Sequence, residues 1–336
     1  MSTQTNVHTG GAKRTGKMSK DHRVEVLRLK QSGMGYRRIA DITGFNLSTV
    51  KSACKRSGLF ADNQVHKALF TIPEPQYSTA VATVKPLPPQ RVITGHKQTD
   101  AYLWVLEVIG TNELAHVAAA EDALKRLTIT PKQAQERYTQ HLVNAGAGWT
   151  AAFSTMFLDN PQHYINRAKE QNSEAAKVRA VFGSYEAAMK PTPAEVMMLD
   201  KYGYLYVSDL AEGETRTMDC GEYEQEQAER KRTAEGFMDA LPEPHTLSDV
   251  VREWQYWDWL YSMRQAAYKE LYNDTMIDSE PYIYDREDYL SGRLAQIRPL
   301  HQRESVDVLK WLLVQERFNN GNEAILFNLI GGAQEQ

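Results

Sequence analysis

Two short helical segments joined at a glycine constrain this chain more than any other feature. In YRRIADITGFNLSTVKSACKR, Tyr36 to Arg56, three residues stand at telling intervals: Ala40, Gly44 and Val50. Ala40 is small where two helices must cross closely. Gly44 suits a left-handed turn, a backbone that costs any residue with a Cβ more. Val50 is placed to pack the second helix onto the first, and Ile39, Phe45, Leu47 and Ala53 supply further inward positions. Upstream, Asp21 to Ser32 carries Val24, Val26, Leu27 and Leu29 as an apolar stripe, broken by Gly33 and Gly35. Residues 19–59 are therefore expected to form a three-helix module.

The outward positions of its last helix are short, polar or basic. Asn46, Ser48, Thr49 and Ser52 are the candidates for reading base edges. Arg37, Arg38, Lys51, Lys55 and Arg56 are the candidates for holding phosphates, joined by Lys13, Arg14 and Lys17 of the preceding tail. This is the layout of a DNA-binding helix-turn-helix, with its second helix in the major groove. The stretch GMGYRRIADITGFNLSTVKSACKRSGL, Gly33 to Leu59, resembles the helix-turn-helix of resolvase/invertase-type recombinases and of related transposase and sigma-factor modules. The resemblance covers roughly 40 of the 336 residues. It implies binding to double-stranded DNA. Recombination is not expected, because in that family a serine catalytic domain precedes the module, and here only a short tail does.

Charge points the same way. Residues 1–60 hold 12 Lys and Arg against 3 Asp and Glu, a balance of +9. The whole chain is −4, so residues 61–336 carry −13. A basic head gains phosphate affinity by counterion release, and an acidic body is repelled by the duplex. On that basis DNA contact is expected from the head alone. Residues 1–18 have the composition of a basic disordered arm and contain no apolar run of a secretory signal. An arm of this kind can also lie on phosphates or in the minor groove.

The remaining chain reads as mainly α. Nothing approaches the roughly 18 apolar residues that span a bilayer. Cys54 and Cys220 are too few for a disulfide framework or a cysteine zinc site, which suits a reducing cytoplasm. Residues 60–94, with Pro73, Pro75, Pro86, Pro88 and Pro89, are expected to be an extended linker. TAVATVK, Thr79 to Lys85, offers a short strand at most. From there, helix starts are expected near Thr99–Asp100, Glu113, Thr130–Pro131, Asn160–Pro161, Thr192–Pro193 and Thr246. KYGYLYVSDL, Lys201 to Leu210, alternates aromatic and polar residues and is the best strand candidate, with RTMDC, Arg216 to Cys220, as its hairpin partner. SVDVLKWLLVQERF, Ser305 to Phe318, is a late amphipathic helix, followed by a turn at Asn319 to Asn322 and an apolar helix to Ile330.

Two clusters invite a chemical reading. Trp254, Trp257 and Trp259 with their tyrosine neighbours resemble a base-stacking platform, but such platforms line basic grooves. This region is acidic, so core or oligomer packing is favoured. YNDTMIDSEPYIYDREDY has carboxylates enough for a two-metal nuclease site, yet lacks the β-branched strands that assemble one. The histidines show no ligand spacing, and neither a GxxxxGK[ST] loop nor GxSxG occurs. Neither an enzyme nor a cofactor or metal is expected.

The expected molecule has four parts: an arm (1–18), a helix-turn-helix (19–59), a Pro-rich linker (60–94) and a helical body (95–336) with at most a small β-hairpin. The expected function is sequence-specific binding of double-stranded DNA by a homo-oligomer, as a transcriptional regulator of a prokaryote or mobile element. The acidic body leaves room for a protein partner. Two alternatives stand beside it. One is the DNA-recognition subunit of a phage packaging complex, resembling small terminase subunits. The other is a DNA-mobilisation enzyme with an unread site.

Overall fold

The computed structural model describes residues 18–77, 85–206, 219–274, 277–317 and 323–331. Sixteen α-helices and no strand occur among them. The chain divides into two compact units. One comprises residues up to Ile72, Pro191–Tyr261 and everything from Asp278; the other comprises Pro73–Lys190 and Ser262–Ile277. The second is thus an insertion within the first, rather than a body following a head.

The first unit opens with α1 (Lys20–Gln31), α2 (Tyr36–Thr43) and α3 (Leu47–Ser57). Ser19 caps α1 by accepting from the His22 amide at 3.2 Å. Asp21 in its first turn, with Arg28 and Lys30 in its last, complements the helix dipole. The three helices enclose Val26, Leu29, Ile39, Ala40, Phe45, Val50, Ala53 and Cys54, with Leu47 and Phe60 packed at the edge. Val26, Ile39 and Val50 are fully buried, each burial stabilising by about 1.5–3 kcal/mol. Val24, expected on this stripe, is 60% exposed, so Val26 and Leu29 carry the buried face of α1.

A fourth helix, α4 (Gln64–Leu69), lies inside the segment expected to be extended. Asn63 caps it by accepting from the Val65 and His66 amides at 3.1 and 3.4 Å. The prolines begin only at Pro73, so they do not touch these residues. His66 and Phe70 are fully buried.

The second unit contains α5 (Lys97–Gly110), α6 (Leu114–Leu124), α7 (Pro131–Leu142), α8 (Thr150–Ser154), α9 (Pro161–Phe182) and α10 (Tyr185–Ala188). Val105, Val108, Ile109, Val117, Ala120, Ile165 and Ala168 form the core between α5, α6 and α9. Thr130 and Gln133 close a capping box at α7, and Asn160 caps α9. At α5 the expected cap is displaced: His96 caps the helix. Asp100, one turn in, instead accepts from the Thr94 and Gly95 amides at 2.7 and 3.2 Å.

The chain returns to the first unit with α11 (Pro193–Tyr202) and α12 (Cys220–Ala234). It continues through α13 (Leu247–Tyr272), of which the part from Ser262 onward belongs to the second unit, and then α14 (Pro281–Gln296), α15 (Gln302–Val314) and α16 (Glu323–Gly331) of the first. The expected strand at Lys201 is instead the end of α11 followed by a 3-10 turn over Gly203–Leu205. Tyr202 and Tyr206, four apart, both pack on Phe237, at 5.7 and 6.1 Å between ring centroids, while Tyr204 points to solvent. A spacing of four belongs to a helix as readily as alternation belongs to a strand. Residues 207–210 of that stretch, residues 79–84 of TAVATVK, residues 216–218 of RTMDC and the Asn319–Asn322 turn lie outside the described residues. The described end of RTMDC, Asp219 and Cys220, caps and opens α12 instead of forming a strand.

The tryptophans of α13 serve packing. Trp254 and Trp257 are buried, with Trp254 against Trp311 at 5.7 Å and Trp257 against Phe70 at 5.7 Å. The acidic run contributes structural pairs: Asp285 accepts from Arg230 at 3.0 Å and from the Tyr206 hydroxyl at 2.8 Å.

Candidate nucleic-acid interface

The turn between α2 and α3 is built on one backbone conformation. Gly44 has φ 73° and ψ 8°, and its amide donates to the Ala40 carbonyl at 2.9 Å. A residue with a Cβ is strained there, and a β-branched one more so. Asn46 then starts α3 with its carbonyl accepting from the Thr49 and Val50 amides at 2.9 and 3.0 Å. Its side chain makes no capping bond. Ala40, Val50 and the other inward positions are buried together, so the two helices lock at a fixed angle by side-chain packing.

The outward face of α3 divides into two. Ser48, Lys51, Ser52, Lys55 and Arg56 are exposed, whereas Asn46 and Thr49 are half-buried. Of the four residues proposed to read bases, Asn46, Ser48 and Thr49 lie at the start of α3 and Ser52 lies midway along it, and they differ in exposure. Arg56 bends back, donating from Nε to the Ser52 carbonyl at 3.2 Å. Lys55 and Arg56 also occupy the last turn, where cations complement the dipole. Arg37 and Arg38 are exposed in the first turn of α2. Lys13, Arg14 and Lys17 lie outside the described residues.

Sequence reading missed one device here. The Tyr36 ring lies under two ammonium groups, Lys30 at 4.5 Å and Lys51 at 6.0 Å from its centroid. Burial pushes the Lys30 ammonium below its usual value. The ring holds Lys51, a phosphate candidate, on the side of α3 that faces α2. The signal was present as a lysine ending α1 and a tyrosine opening α2. Only the folded head brings them to one place.

The head is anchored to the rest of its unit by a polar cluster. Asp62 accepts from Thr246 at 2.8 Å and from Arg252 at 2.5 Å. Asp249 accepts from the Asn63 amide at 2.9 Å, so it serves α4 as well as the start of α13. Beneath them, His66 Nε2 lies 2.8 Å from Glu253, and Arg286 donates to both Glu253 oxygens at 2.7 and 2.8 Å. His66, Glu253 and Arg286 are all fully buried. Burial alone raises the Glu253 carboxyl, but the Arg286 charge and the bonds from His66 and Arg286 outweigh it and hold the carboxyl below its usual value. No membrane-length apolar helix occurs among the described residues. Comparison of the chain with protein-family models, curated proteins and solved structures gives no match.

Proposed function

We propose that this protein binds double-stranded DNA in a sequence-specific manner through the helix-turn-helix of residues 19–59, acting as a transcriptional regulator in a prokaryote or mobile element. The observation that carries this reading is the left-handed Gly44 between two short helices, with a polar and basic face on α3 beside Arg37 and Arg38. Ser48 and Ser52, with Asn46 and Thr49, are short enough for base edges to approach the helix backbone. Arg37, Arg38, Lys51, Lys55 and Arg56 supply the sequence-independent attraction. A single module makes few base contacts, so a dimer on two half-sites is the working form of this proposal.

The test uses the full chain and a labelled random-duplex pool at low salt, followed by selection of bound sequences. Binding whose logarithm falls linearly with log salt, together with an enriched motif, is the expected result. A folded chain that binds no duplex at low salt overturns the proposal. Sedimentation at the binding concentration reports the dimer.

A further inference from the structure

Beside α2 and α3, within the same unit, the chain forms a cleft of about 1240 Å³. Arg37, Arg38 and Lys51 line one side. Arg293, Arg298 and Gln302, from the end of α14 and the start of α15, line the other. The carboxylate of Glu243 also reaches the cleft, but it accepts from Arg293 at 2.9 Å. The Arg37 and Arg298 guanidiniums have no ion-pair partner among the described residues. The cations lining the cleft outnumber its one carboxylate, Glu243, and an anion among them relieves their mutual repulsion.

The second side departs from the charge of its surroundings. Residues 289–303, YLSGRLAQIRPLHQR, hold three arginines and a histidine and no Asp or Glu, within a region of net −13. Averaging over residues 61–336 hides this patch. Its backbone is also fixed. Pro299 prevents α14 from continuing, and the Asn328 side chain donates to the Leu294 and Ile297 carbonyls at 2.8 and 2.6 Å. On the far side of Arg298, Glu304 accepts from the Leu300 amide at 2.6 Å. Arg298 is therefore an exposed cation displayed on a pinned segment, which lowers the ordering cost of using it.

The cleft exceeds the roughly 300–1,000 Å³ of small-ligand pockets. It is continuous with the residues that the proposed function assigns to phosphates. We propose that it receives the phosphodiester backbone of the bound duplex where that strand leaves the α3 site, with Arg298 as the contact from outside the helix-turn-helix. This rests on the DNA-binding reading. It departs from the charge argument that confined contact to the head.

The experiment measures full-chain affinity for a fixed duplex across a salt series, with Arg298→Ala, Arg298→Lys and Arg37→Ala. Each lost phosphate contact lowers the salt slope by about 1. Arg298→Ala is expected to lower it by that amount and Arg298→Lys to keep it, both with unchanged sequence preference. If Arg37→Ala lowers the slope and Arg298→Ala does not, this inference falls and the DNA-binding reading stands. If the wild-type chain binds no duplex, both fall. If Arg298→Ala leaves the slope intact and abolishes binding of a free nucleoside triphosphate, the cleft is a small-ligand site and the inference is overturned. Arg298 is exposed and outside every core cluster, and matching urea midpoints check that the variants are folded.

Discussion

Replacing Arg286 by methionine probes the anchor between α4, α13 and α14. The guanidinium is fully buried and bonds both oxygens of Glu253 and the Gly236 carbonyl, the last at 2.5 Å. Its removal leaves Glu253 as a buried carboxylate held by His66 and, at 3.3 Å, by the Trp257 indole. Breaking one partner of such a pair costs about 3–5 kcal/mol, because the survivor keeps its desolvation penalty. That is a large part of the roughly 5–15 kcal/mol that holds a domain together. Glu253→Gln combined with Arg286→Met removes the stranded charge while keeping an acceptor for His66. The double variant is expected to be more stable than Arg286→Met, with a coupling energy of up to about 3 kcal/mol. Urea unfolding followed by tryptophan fluorescence reads this, since Trp254, Trp257, Trp259 and Trp311 lie in this unit. An Arg286→Met loss below about 1 kcal/mol, the value of an exposed pair, refutes the reasoning.

Other predictions concern single positions. Gly44→Val, at φ 73°, is expected to cost about 1–3 kcal/mol and to abolish duplex binding in a gel-shift assay. Ser48→Ala and Ser52→Ala are expected to change the selected motif, each by about 1–3 kcal/mol at one base pair, whereas Arg37→Ala weakens all sequences alike. Gly236→Ala brings a Cβ to 2.3 Å from Tyr289 at a φ of 64°, and a lowered thermal midpoint is expected. Glu253 has a folded value below its unfolded one, so its stabilisation is present above about pH 4.3 and is lost as pH falls through the folded value. The acid limb of a stability–pH curve is therefore expected to be shallower in the Glu253→Gln/Arg286→Met variant than in the wild type.

Features encoded within one turn of chain were legible. Thr130–Pro131, Asn160–Pro161 and Thr192–Pro193 each open a helix as their cap chemistry implies. Gly44 has the backbone its spacing with Ala40 and Val50 asked for. Features that depend on distant partners were not. The α4 helix presents His66 and Phe70 to α13, and neither reads as an anchor without Glu253 and Trp257, almost 190 positions away. The strand expected at Lys201 failed because Tyr202 and Tyr206 satisfy both periodicities, and Phe237 selects the helical one. The cationic side of the cleft was masked by averaging charge over the whole acidic region.

The insertion of one unit within the other orders events during synthesis. The core of α1–α3 draws on residues 18–60 alone, so it is complete early in translation. His66 waits for Glu253, 187 residues later. At roughly 5–20 residues per second, that delay is about 10–40 s. During it the inserted unit's Pro73–Lys190 segment leaves the ribosome first, and α4 has no partner. The nascent chain thus carries a finished three-helix head on an undocked tether before the rest of the molecule exists.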